Sequence, residues 1–223
     1  MTISTKQSPE LHAQRSSWGM GGSCPAPSRS RAQPAGMSLI EVLVALALLL
    51  VLVGYVAPGF AEWRSQQQLR GALMALQFSV VKARVASLAS GRAHGLAFSL
   101  SEGDLLWDTV VDGDGDGIRR SDLVSGVDLP LEPERRLSAW FPDVRPGRPA
   151  GVPPLAGGSA GNGGLALGRS RILASAPDGS TSSGTVYLCT GSDYGAALRL
   201  YGPTGRDSVW WWNSRRQKWE PLR

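Results

Sequence analysis

The sequence predicts an α+β protein: a long N-terminal helix, half membrane-spanning and half amphipathic, packed on a C-terminal antiparallel β domain. Three observations predict it. Val42 to Ala61 is a run of 20 residues without a charge. From Leu69 to Leu88 apolar residues recur at steps of three and four. Beyond Gly91 the apolar runs become short and are separated by Gly, Pro, Asn and Asp. These are the signs of a spanning helix, an amphipathic helix and a set of strands.

Composition limits what the chain can do. Its 223 residues carry 23 Lys+Arg against 18 Asp+Glu, with two Cys and two His. Two cysteines make neither a disulfide framework nor a Cys-rich zinc site, and two histidines leave little for acid–base or metal chemistry. No enzymatic role is expected.

Residues 1–36 are rich in Ser, Pro, Gly and Gln and lack apolar periodicity, so they read as a leader. Lys6, Arg15, Arg29 and Arg31 oppose only Glu10 there, which keeps this end in the cytoplasm and places everything after the apolar run across the membrane. Met20 is an alternative start. Glu41 stands at the threshold of the apolar run. It is either a headgroup-level carboxylate or an intramembrane ionisable group with a function.

Gly36 followed by Met37-Ser38-Leu39-Ile40-Glu41-Val42-Leu43-Val44-Ala45-Leu46 resembles the class III signal of type IV prepilins and pseudopilins. The resemblance implies cleavage between Gly36 and Met37 by the prepilin peptidase, N-methylation of Met37, and retention of the apolar helix. Met37 stands where the family most often has Phe. Glu41 falls at the fifth mature position, where the family keeps a glutamate for filament assembly. Pro58 falls at the twenty-second, where many pilins have a helix-kinking proline. The implied role of Glu41 is to pair with the freed amine of Met37 on a neighbouring subunit, since a carboxylate in hydrocarbon needs a partner. The rival reading is a secretory signal cut near Ala57 or Ala61, releasing a soluble chain.

The domain organisation follows: leader 1–36, transmembrane helix 37–61, its amphipathic continuation 62–91, and a periplasmic β domain 92–223. In the continuation, Leu69, Leu73, Leu76, Val80 and Ala83 form one apolar row. Met74, Phe78, Val81, Val85 and Leu88 form a second. Together they are expected to make one broad face that packs on a sheet. Strands are expected at Ala93–Leu100, Asp104–Val111, Leu165–Ala174, Thr185–Thr190, Ala196–Tyr201, Arg206–Trp212 and Lys218–Leu222. Residues 142–164 hold five Pro and seven Gly among 23 and read as a loop or flexible insertion. The fold implied is type IV pilin-like. The stretches Gly184–Cys189 and Leu198–Arg206 resemble the C-terminal signature of the GspH/FimT branch of pseudopilins.

Four features invite chemistry. Asp112-Gly113-Asp114-Gly115-Asp116-Gly117 has the carboxylate spacing that opens a calcium loop, with Asp122 one residue earlier than the usual closing acid. The alternative is an acidic hairpin turn. Gly157-Gly158-Ser159-Ala160-Gly161 matches G-x-S-x-G but lies in the low-complexity loop with no following His, which excludes a nucleophile elbow. His94 and Cys189 read as structural residues, Cys189 in the core. Arg206, Arg215, Arg216 and Lys218 lie among Tyr201, Trp210, Trp211, Trp212 and Trp219, a candidate partner or DNA surface. Strand alternation should turn Trp211 away from Trp210 and Trp212. Nucleic acid is not the expected partner.

The resulting expectation is a minor pseudopilin of the type II secretion system, assisting protein export across the outer membrane. It would be single-pass in the inner membrane, with its C-terminal domain in the periplasm. Its partners would be other pseudopilins or pilins, the prepilin peptidase/methyltransferase and the inner-membrane assembly platform. The alternative is a minor pilin of a type IV pilus, serving assembly, adhesion or DNA uptake. A secreted soluble calcium-binding β protein is a third class. Removing the leader leaves 19 basic and 17 acidic residues and one cysteine, Cys189.

Overall fold

The computed structural model describes residues 38–155, 161, 163–191 and 193–222, with the side chains of residues 56–58 excepted. Gly36, Met37, the leader and most of the G-x-S-x-G stretch lie outside these residues. The chain divides into two units, at Ala47/Leu48. The described part of the first, residues 38–47, is helical from Leu39 and exposed.

The helix α1 (Leu39–Ser90) continues through Pro58. Leu39–Tyr55 is apolar and exposed, whereas Gly59–Ser90 is partly buried. In the latter segment Leu69, Ala72, Leu73, Leu76, Val80 and Ala83 are buried. The second apolar row is not. Met74, Phe78, Val81, Val85 and Leu88 are 44–68% exposed. Each lies five residues after its counterpart in the buried row, and five residues turn an α-helix by about 140° beyond a full revolution. The expected single broad face is therefore two separate stripes.

Strands β1 (His94–Ser101) and β2 (Asp104–Val111) form a hairpin. After β2 come the short helix α2 (Arg120–Ser125), β3 (Leu129–Pro130), β4 (Arg135–Arg136) and helix α3 (Leu137–Trp140). None of these four had a sequence signal strong enough to predict it. Next are β5 (Val144–Pro146), β6 (Leu165–Ala166), β7 (Ile172–Ser175), β8 (Gly184–Thr190), β9 (Tyr194–Tyr201), β10 (Arg206–Asn213) and β11 (Lys218–Pro221). One sheet, A, runs β3-β2-β1-β7 with β4 also on β2, and the other, B, runs β11-β10-β9-β8-β5 with β6 also on β8. All the pairings are antiparallel.

The strand expected over Leu165–Ala174 is two strands in different sheets. Leu165–Ala166 pairs with β8, Ile172–Ser175 pairs with β1, and a turn with Gly168 and Arg171 at positive φ lies between them. The insertion 142–164 likewise contains a strand. β5 covers Leu188–Thr190 of β8, β6 covers Thr185–Val186, and the Tyr187 backbone between them bonds to both ends of the loop. Gly147 N–H donates to Tyr187 O at 2.9 Å, and Tyr187 N–H donates to Gly164 O at 2.7 Å. The insertion thus leaves and rejoins sheet B at adjacent points, and its ends satisfy the β8 edge. Gly164 has φ +83°, and a Cβ there would lie within the Gly147 backbone.

The main core combines the buried α1 row with Leu96, Phe98, Leu105 and Trp107 of sheet A and Val186, Leu188, Leu198 and Val209 of sheet B. Polar contacts fix the helix on both sheets. Gln77 Nε2 donates to Asp207, Lys82 pairs with Glu132, Arg84 Nη1 donates to Gly205 O at 2.8 Å, and the Tyr194 hydroxyl meets Glu62.

Candidate functional site

Glu41 sits in the first turn of α1, its N–H bonded to Ser38 O at 3.0 Å. Among the described residues no cation or hydrogen-bond donor meets its carboxylate. The expected partner, the Met37 amine of another subunit, is outside the described residues of this chain. Farther along α1, the exposed stripe from Met74 to Leu88 leaves five large apolar side chains uncovered. Phe60 and Trp63 are also exposed and touch each other, with ring centroids 5.6 Å apart. A helix apolar on two sides, with one side in the core, has its other side available to a neighbour.

The acidic loop follows β2. Asp112, Asp114 and Asp116 each offer a carboxylate oxygen within 4.8 Å of the others. Asp122 is not part of that set; it lies in α2, with Oδ1 accepting from Ser121 Oγ at 3.1 Å. The four carboxylates expected together are therefore three and one. Asp112 is buried, and its oxygens accept the Gly115 and Gly117 amides at 2.7 and 2.9 Å. Burial opposes ionisation of Asp112, but these backbone bonds outweigh it and hold the carboxyl below its ordinary value. Arg119 pairs with Asp116.

The loop's organiser is a residue that sequence reading missed. Asp128 is fully buried and accepts the Gly113 amide at 3.1 Å and the Arg119 amide at 3.0 Å. It follows the loop by more than ten residues, so only its tertiary position reveals the role. Gly113 is required here because a Cβ would collide with the Val127 carbonyl.

The basic C-terminal residues do not form one patch. Arg206 opens β10, whereas Arg215, Arg216 and Lys218 lie beyond its other end, roughly 23 Å away for a strand of this length. Arg216 and Lys218 both approach Glu220, at 3.1 and 3.7 Å. The tryptophans divide by alternation as expected. Trp211 packs into the main core, under Arg70 at 5.6 Å, while Trp210 and Trp219 join Tyr187, Ala197 and Leu155 on the opposite face of sheet B.

His94 is buried where α1 meets β1. Ser90 Oγ lies 2.8 Å from its Nε2, and burial lowers its pKa. Cys189 is half-buried rather than in the core: alternation turns it away from the main core, to which Val186 and Leu188 of β8 belong. Burial raises its thiol pKa, with Arg145 opposing.

Residues 31–57 match the prokaryotic N-terminal methylation motif. No curated protein and no solved structure matches the chain. The motif, on a long apolar N-terminal helix, is that of the type IV pilin and pseudopilin class, and the helix packed on antiparallel sheets makes a pilin-like α+β fold. The class is structural rather than catalytic. It implies processing by a prepilin peptidase and partners within a filament.

Proposed function

We propose that this chain is a minor pseudopilin of the GspH/FimT type, a subunit of the type II secretion pseudopilus. In this reading it is cleaved after Gly36 and methylated on Met37. It spans the inner membrane once through residues 37–61 and holds its β domain in the periplasm. The carrying observation is the methylation motif at 31–57 leading into a helix whose second apolar stripe is uncovered. A filament subunit needs a retained anchor, a register group such as Glu41, and a helix face for its neighbours. The intramembrane carboxylate supplies specificity through its need for a counter-charge.

Intact-mass analysis of the chain co-expressed with a prepilin peptidase tests the processing. A product beginning at N-methylated Met37 supports it, whereas a product beginning near Glu62 makes the chain a secreted protein. Deleting the gene tests the machine. Loss of exoprotein secretion with surface pili retained supports the pseudopilus, and the reverse assigns the chain to a type IV pilus.

A further inference from the structure

An open cavity of about 470 Å³ lies where the start of β5 and the end of β8 meet α1. This volume falls within the range of small-ligand sites, about 300–1,000 Å³. Ser65, Asp143, Arg145 and Gly191 are among the residues that line it. Asp143 and Arg145 are both exposed and flank Val144, which is buried in the main core. Arg145 is the register partner of Cys189 in β8. Among the described residues neither the Asp143 carboxylate nor the Arg145 guanidinium enters an ion pair. The cavity thus presents one anion and one cation, each without a counter-charge.

Helix α1 sets the height of this cavity above the apolar run. The charge-free run ends at Ala61, and at 1.5 Å per residue Ser65 stands about 6 Å beyond it. In the proposed single-pass topology, on which this inference rests, that is the headgroup layer, which occupies roughly 5–8 Å on each side of a bilayer. Two contacts hold the β domain at this level on the helix. The Tyr194 hydroxyl meets Glu62, and the Asp143 amide donates to Gln68 Oε1 at 3.0 Å. Trp63, exposed beside Phe60, stands at the same depth, where bilayers favour indole rings.

We propose that this cavity binds the phosphoethanolamine headgroup of a bilayer lipid, with the phosphate at Arg145 and the ammonium at Asp143. A guanidinium meets phosphate oxygens with paired N–H donors, and a primary ammonium donates to a carboxylate. A phosphoglycerol headgroup supplies no cation for Asp143 and brings an anion towards it. A phosphocholine headgroup carries a cation without N–H donors, a group that aromatic faces recognise, and no aromatic side chain is among the described residues lining the cavity. An anionic surface at large is disfavoured too, because Glu62, Asp143 and Asp193 offset Arg64 and Arg145 at this end of the domain. Occupied, the site holds the β domain on the membrane. Entry of the subunit into a filament draws Ser65 out of the headgroup layer and empties it.

The test is native mass spectrometry of the full-length protein in detergent micelles, titrated with phosphatidylethanolamine, phosphatidylcholine, phosphatidylglycerol and water-soluble glycerophosphoethanolamine. A saturable phosphatidylethanolamine adduct, several-fold tighter than those of the other three, supports the proposal. Arg145→Gln and Asp143→Asn, both exposed changes that spare the fold, should each weaken it about tenfold, as loss of a charge-assisted bond does. Asp143→Asn should also bring phosphatidylglycerol level with phosphatidylethanolamine. The proposal is overturned if phosphatidylcholine or phosphatidylglycerol binds the wild type as tightly, or if either substitution leaves the affinity unchanged. It is overturned equally if glycerophosphoethanolamine binds as tightly as the lipid, which makes the ligand a solute. Carbonate extraction of membranes separates this site from the topology beneath it. Release of the chain by carbonate refutes the single-pass reading, whereas a retained chain without lipid preference overturns the headgroup site alone.

Discussion

Leu76 and Phe78 are two residues apart on α1 and about 200° apart around it. Leu76 is fully buried in the main core, whereas Phe78 is 68% exposed. Leu76→Ala removes a side chain surrounded by both sheets and leaves a void, a loss of about 2–5 kcal/mol. Phe78→Ala removes a larger side chain from solvent, and the change should stay within about 0.5 kcal/mol. Alanine's better helix propensity recovers a few tenths of that. Urea unfolding of the full-length protein in detergent, followed by tryptophan fluorescence, separates the two. With a slope of about 2–3 kcal/mol/M, Leu76→Ala should lower the midpoint by roughly 1–2 M and Phe78→Ala by far less. In a filament-assembly assay the order should invert: Phe78→Ala folds but assembles poorly. A Phe78→Ala midpoint shift as large as that of Leu76→Ala would refute the two-stripe assignment.

Other consequences follow from particular residues. Glu41→Gln and Glu41→Val should insert normally yet fail to enter filaments, as read by membrane fractionation and shear release; normal assembly of both would remove the pairing role. Gly164→Ala places a Cβ in the Gly147 backbone at a positive φ, and should cost about 2 kcal/mol or more, seen as a lowered urea midpoint. Asp112 has a folded-state pKa below its ordinary 3.8. Its stabilisation is therefore complete above that value and lost as pH falls through the folded-state value. Asp112→Asn should destabilise the protein by about 1–3 kcal/mol at neutral pH and shrink the difference from wild type in acid. An unchanged difference would contradict this. Asp108 is pushed up by burial and by Glu134, with Arg120 opposing. Asp108→Asn should be neutral or stabilising at neutral pH, and a clear loss in the same urea assay would count against that.

What the sequence revealed depended on how local each signal was. β2 follows the expected Asp104–Val111 because a short apolar and β-branched run follows the turn at Glu102–Gly103. The tryptophan alternation held because Trp210–Trp212 lie inside one regular strand. The two α1 stripes were misjoined because steps of three and four are present within each row, while the five-residue offset between them decides the face. The strand expected over Leu165–Ala174 was divided by the turn at Gly168–Arg171. At the acidic loop, the three spaced carboxylates were evident, but Asp128, which organises them, was not. Its role depends on the return of the chain after α2. The meeting of Pro153 and Pro154 with Trp210, Trp212 and Trp219 around one cavity was equally hidden, because it brings the insertion onto strands more than fifty residues later.

The pinning of the insertion to Tyr187 has an engineering consequence. Its two ends are fastened by sheet B and Leu155 within it packs on Tyr187, so the exposed turn at Ala150–Gly151 is where the span can be lengthened at little cost. Doubling such a span adds only about 0.6 kcal/mol of closure entropy. An epitope or a fluorophore-binding peptide placed there would label the protein without disturbing α1 or the sheets.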